Sequence, residues 1–419
     1  MNPLSYPMPA GVHAVPDALL DLRPDSEIDY DILHPEPVSS SEKNVWFFWH
    51  SGYENMYPYA KRNIRAWHRR FSKSGWTIRV LDRHPGSALN VSCFLDVEDR
   101  TLFPRAFAEG TITGTYAPQH TSDLVRLPLL LRFGGVYADV GMLQIGDLDR
   151  LWEQTVGAAA AAAANPSSSS SSSTPYEVLA YNIGGVGERS LANYFLASRR
   201  DNPLFARSHR LLLALWGEDG GRTSTEGMSA SPLLRGPPLM GSRQFSDETR
   251  RELTDYIVQG QAISQVMGLV DDEDDDGGWD GPRYCAERVY AIDHLVGSQL
   301  ANELTAWDGR RAFELMSLPL PLPREGGPES ADQTQARQMV EGCLARSFGF
   351  KLATGLILKV LGPTLSSLWR DNEGSDDVPG TYAHWLRHGT MYWCQDQLPD
   401  RLDFQVIEPY KRGPLLRER

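Results

Sequence analysis

Apolar residues along this chain fall into short unbroken runs and longer helical stripes. Residues 44–50, NVWFFWH, are a short apolar run suited to a buried strand. Pro58 then stands near the start of PYAKRNIRAWHRRF, where Ile64, Trp67 and Phe71 share one helical face. WTIRVLD, from Trp76 to Asp82, reads as the next strand. Strand, helix and strand within about 40 residues predict a βαβ unit and a parallel sheet. A helix followed by a strand runs from His120 to Leu143, HTSDLVRLPLLLRFGGVYADVGML. Thr121 or Ser122 is placed to cap a helix, with Asp123 in its first turn. Gly134 and Gly135 stop that helix, Val136 to Ala138 resume a buried strand, and Asp139 closes it. EVLAYNI (177–183) predicts another strand, and NPLFARSHRLLLALW (202–216) a further helix.

Between these segments the pattern breaks. Residues 1–43 are rich in proline and acids without a clear period, which predicts an irregular N-terminal arm. Residues 157–175 hold an alanine run and a serine run, read as a flexible loop inserted into a domain spanning 44–318. PLPLPREGGPES predicts a linker at 319–330. Beyond it, 331–419 reads as a helical C-terminal extension, with two or three helices between 331 and 394. The fold class expected is α/β, a mostly parallel central sheet with a helical C-terminal part.

Length and charge narrow the class. A chain of 419 residues is long enough for one large α/β domain with insertions. The net charge of -13, part of it in the run DDEDDD at 271–276, argues against a nucleic-acid partner. No stretch approaches a membrane span; the best, Leu352 to Leu368, is flanked and interrupted by Lys351 and Lys359. The first residues lack the basic and apolar regions of a secretory signal. Cys93, Cys285, Cys343 and Cys394 are too scattered for a disulfide framework or zinc site, so a reducing, cytoplasmic setting is expected.

Several familiar chemistries have no signature: GxxxxGK[ST], GxSxG, HExxH and GxGxxG are all missing. His384 and His388 stand four apart in HWLRH, without a third ligand nearby, and read as two surface histidines. One constellation stands out. Asp123 and Arg126 are three apart and project from one helical face. A carboxylate and a guanidinium so placed suit vicinal hydroxyls and a phosphate. Asp139 follows at the end of the next strand, where ligands bind in open α/β sheets.

With FFWH at 47–50, SDLVR at 122–126 and GGVYAD at 134–139, the chain resembles the DXD-type glycosyltransferases of the GT-A superfamily. DVGMLQIGDLDRLW (139–152) is similar to their capsular-polysaccharide-synthesis-like branch, particularly its fungal members. The resemblance implies a nucleotide-sugar-binding fold and a hexosyltransferase-like activity. The partners implied are a donor, UDP-linked, and a hydroxyl acceptor on a polysaccharide, glycolipid or small natural product. Trp49 matches the aromatic that stacks on the nucleotide base. Asp123, Arg126 and Tyr137 match donor-binding positions, and Asp139 the first DXD carboxylate, which contacts ribose, sugar and metal. The implied cofactor is Mn²⁺ or Mg²⁺, yet Gly141 stands where the second carboxylate would be. The catalytic set is then Asp139, Arg126 and, as candidate base from GSDDVPGTY, Asp377, with Asp376 beside it. The alternative is a glycosyltransferase fold without turnover, kept for binding or for unrelated chemistry.

Overall fold

The computed structural model describes residues 6–157, 176–184, 189–241, 245–273, 277–321, 329–404 and 408–417. The leading segment is more ordered than its composition predicts. Helix α1 (Asp25–Leu33) buries Ile28 and Ile32, one turn apart. Strand β1 (Asn44–Phe48) follows, and then α2 (Pro58–Phe71), whose Pro58 pre-sets the first turn. The acids that made the arm look irregular face α2: Asp29 meets Arg65 at 2.6 Å, and Asp25 meets Arg69 at 2.7 Å. Burial of Ile28 and Ile32 against that helix orders the segment.

Strand β2 (Thr77–Leu81) pairs parallel with β1. Helix α3 (Ala117–Phe133) starts earlier than the sequence predicts. Pro118 provides the first turn, so Thr121 lies inside the helix and its hydroxyl donates back to the Ala117 carbonyl at 2.8 Å. Asp123 therefore sits in the second turn rather than at the positive end of the helix. Gly134 and Gly135 then turn the chain, with φ of +67° and +98°. Strand β3 (Gly135–Ala138) pairs parallel with β1, and β4 (Met142–Gln144) follows a short loop.

Strands β5 (Val178–Asn182) and β6 (Leu191–Ser198), helices α4 (Pro203–Gly217) and α5 (Val258–Met267), and strand β7 (Val289–Asp293) complete the central layer. The sheet order is β7-β5-β6-β3-β1-β2. Only β6 runs against the others, so the sheet is mostly parallel, as expected for the α/β class. Alternate residues of β1 feed two cores. Val45 and Phe47 pack with Ile64 and Trp67 of α2. Trp46 and Phe48 pack with Leu124 and Leu127 of α3 and Leu211 of α4.

Helix α6 (Ala331–Arg346), strand β8 (Gly349–Lys351) and helix α7 (Tyr382–Tyr392) belong to the C-terminal part. With Leu356–Leu361 and Leu365–Asp371, the described residues from 331 to 394 hold four helices rather than two or three. Met339 of α6 and Trp385 of α7 enter the same core as α2. Strand β8 pairs antiparallel with β4, Lys351 opposite Met142. The linker expected at 319–330 lies largely outside the described residues, as does the insertion after Gly157. No helix among the described residues is long and apolar enough to cross a membrane.

Candidate functional site

Four charged side chains meet where β3 ends. Helical spacing puts Asp123 and Arg126 on one face of α3, and a guanidinium nitrogen of Arg126 lies 2.7 Å from the Asp123 carboxylate. The guanidinium lies over the Tyr137 ring, 4.8 Å from its centre. Ser122 joins these two, its hydroxyl 2.6 Å from the Tyr137 hydroxyl and accepting from Arg126 at 3.2 Å. Arg126 also donates to the Asn193 carbonyl. Burial alone would lower the basicity of Arg126, but Asp123, Tyr137 and Asp139 together hold it above its ordinary value. It is a permanent cation, 4% exposed.

Asp139 is more open, with 28% of its side chain exposed. One carboxylate oxygen lies 3.5 Å from Arg126, the other 3.0 Å from the Lys351 ammonium. The loop it begins is held at each residue. The Asp139 amide donates to the Tyr194 carbonyl at 2.9 Å, Asn63 donates to the Val140 carbonyl at 2.8 Å, and the Leu352 amide donates to the Gly141 carbonyl at 3.0 Å.

Trp49 stands at the end of β1, next to β3 in the sheet. Its indole is half-buried and edge-on to Tyr57, with ring centres 5.6 Å apart. Tyr137 is fully buried and its hydroxyl is engaged by Ser122, so it shapes the site by supporting Arg126. Asp376 is fully buried between Arg62 and Arg387, at 2.9 and 2.5 Å. Burial pushes its carboxyl up, but the two arginines outweigh that and hold it below the usual range. Arg387 also donates to Asn63, which reaches Val140, so this loop is wired to the Asp139 loop. Asp377 is 47% exposed, 4.0 Å from both Arg62 and His384.

Sequence reasoning missed Lys351 and Tyr256. The first lies far along the chain, with no motif around it. The Tyr256 hydroxyl is pushed up by burial first and then by Asp123 and Asp139, so it faces the same charges. His384 and His388 pack around Tyr6, whose hydroxyl lies 2.6 Å from the His384 ring nitrogen.

One set of described residues brings three ligand atoms within 4.8 Å of one another: Asp21, Asp31 and His68. Arg23 hydrogen-bonds both carboxylates at 2.5 Å and, with burial opposing it, holds Asp21 down at about 2. A guanidinium therefore already supplies the positive charge there.

A family model described as "Capsular polysaccharide synthesis protein" matches residues 18–221. The chain is 34% identical over 392 residues to glycosyltransferase afumC of Aspergillus fumigatus, covering 92% of this chain and 93% of that protein. It is 32% identical over 422 residues to O-glycosyltransferase braB of Annulohypoxylon truncatum, covering 97% and 94%. To O-glycosyltransferase PaGT of Phomopsis amygdali it is 32% identical over 415 residues, covering 96% and 93%. A solved structure, PaToxG Glycosyltransferase, overlays at a TM-score of 0.27 and 16% identity, covering 57% of this chain and 84% of that one.

Proposed function

This chain belongs to the capsular-polysaccharide-synthesis-like family of glycosyltransferases, and we propose that it moves a sugar from a UDP-linked donor to an acceptor hydroxyl. Relatives named as glycosyltransferases over nearly its whole length favour turnover over a fold kept for binding alone. Two of them are named O-glycosyltransferases, which supports an oxygen nucleophile. The observation that carries the reading is the convergence of Asp123, Arg126 and Asp139 at the carboxyl edge of the sheet.

In the reaction the acceptor oxygen bonds to the anomeric carbon. The bond from that carbon to the phosphate oxygen breaks, and its electron pair stays on the diphosphate. The half-buried indole of Trp49 offers a face to the base. Asp123 and Asp139 accept hydrogen bonds from sugar or ribose hydroxyls. Arg126 faces the charge that develops on the leaving group. The hydroxyl proton goes to a carboxylate, for which we assign Asp377. Asp376 is locked between two arginines, whereas Asp377 is open and shares the loop wired to Val140.

GT-A-like glycosyltransferases often use a divalent cation, and Mn²⁺ or Mg²⁺ on Asp139 is the expectation that the motif carries. The donor set at Asp139 does not fit it. Both carboxylate oxygens already face protein cations, at 3.5 and 3.0 Å, and Gly141 has no side chain to offer.

The test is donor turnover. The purified protein is incubated with a panel of nucleotide sugars, and hydrolysis or transfer is followed. We expect turnover with one donor class, and a loss on the order of 100-fold in Asp139→Asn, the scale for a misplaced reacting group. Near-ultraviolet circular dichroism should be unchanged. Wild-type rates in a folded Asp139→Asn protein would remove Asp139 from the site, and no turnover with any donor would overturn the function.

A further inference from the structure

We propose that the Lys351 ammonium, with Arg126, takes the place of the metal and binds the donor's diphosphate directly; this rests on the glycosyltransferase reading above. Lys351 ends β8, and the register of β8 on β4 sets it opposite Met142, beside the Asp139 loop. The ladder continues past it, because the Leu352 amide donates to the Gly141 carbonyl at 3.0 Å. The ammonium reaches Asp139 at 3.0 Å and lies near the Tyr194 ring, 5.6 Å from its centre. Its side chain is only 10% exposed. Among the described residues Asp139 is its one anionic partner, although an ammonium has three protons to donate. With one acceptor met, the ammonium keeps donors for the oxygens of a second anion.

Gly141 shows which anion. A Cβ at that position would lie 3.4 Å from the Lys351 nitrogen and 3.3 Å from the Leu352 carbonyl oxygen. The lysine head therefore sits beside the position from which the second carboxylate of a DXD motif would project. The missing carboxylate and the added ammonium are two halves of one exchange. In a full motif two carboxylates hold a divalent ion, and the charges cancel. Here the Asp123–Arg126 pair is kept, Lys351 alone offsets Asp139, and the charges cancel again. When the anomeric bond breaks, the electron pair left on the diphosphate is stabilised by two fixed cations instead of an ion.

The experiment is calorimetric titration of the full-length protein with UDP, GDP and dTDP, each in excess chelator and in Mn²⁺. The tightest binder is then compared with its monophosphate in wild type, Lys351→Met and Lys351→Arg. Wild type should bind the diphosphate equally well in both buffers. Lys351→Met should lose roughly tenfold to a hundredfold in diphosphate affinity, the range for one charge-assisted hydrogen bond, with little change for the monophosphate. Lys351→Arg should recover most of the loss. Binding that vanishes in chelator and returns with Mn²⁺ would overturn the proposal while leaving the transferase reading intact. An unchanged diphosphate affinity in folded Lys351→Met would overturn it too. Failure of every nucleotide to bind in either buffer would bring down both readings. Should Lys351→Met not fold, the wild-type comparison in chelator still decides.

Discussion

At Trp49 the indole stands half-buried at a strand end, edge-on to Tyr57 at 5.6 Å. A base stacked on it would gain a planar contact that alanine cannot make. Trp49→Ala should weaken nucleotide binding by about 1–3 kcal/mol in a calorimetric titration. Lowered stability with unchanged affinity would make it a core residue instead. Residues of this kind are legible in a sequence when they lie close together. Asp123, Arg126 and Asp139 share one helix–turn–strand unit, so their spacing alone implies a common edge. Lys351 has no such neighbours. It comes to Asp139 only through the pairing of β8 with β4.

On the scale of elements, the turn from α3 into β3 leaves little room for change. Gly135 has φ +98°, and a Cβ there would lie 2.3 Å from the Asn44 carbonyl oxygen, which belongs to backbone and cannot swing away. Gly135→Ala should cost about 2 kcal/mol or more, read from the urea midpoint. At Gly75, φ is +86° but no atom lies within 4 Å of a built Cβ. There alanine should cost only about 1 kcal/mol, the left-handed backbone penalty alone. If both variants cost the same, close packing at Gly135 is not what demands the glycine. The existence of these elements was readable, because glycine pairs, apolar runs and helical stripes act locally. The starts were less so: Pro118 opened α3 ahead of the expected cap, and burial of Ile28 and Ile32 made a helix of an acidic segment.

For the whole molecule, acid is the informative stress. Burial lowers the pKa of His209, with the Leu102 and Thr101 backbones opposing it, to about 4, and burial lowers His294 to about 4 against Asp293. The fold therefore favours neutral imidazole. Below an unfolded value of about 6.5 the unfolded chain takes up those protons first, so stability falls from there toward pH 4. Asp376 acts in the same direction further down. Its folded pKa is lowered, so its contribution is present above the unfolded carboxylate value of about 4 and is lost as pH falls through the folded value. Urea midpoints should thus drop steadily between pH 7 and 4, with a shallower slope in His209→Gln. A flat profile would mean that these histidines protonate without opening the core.

The leading β1-α2-β2 unit, the passage from α3 into β3, strand β5 and helix α4, the parallel character of the sheet, the glycine turn and the placing of Asp123, Arg126 and Asp139 on one edge followed from the sequence alone. Each depends on residues a few positions apart, where backbone geometry fixes who faces whom. Only the tertiary structure decided that β6 runs against its neighbours, that Asp376 is wired through Arg387 and Asn63 to Val140, and that Lys351 stands beside Gly141. Those contacts join distant segments. No local pattern encodes them, because they form when two hydrophobic cores close around the sheet and bring remote side chains to one place.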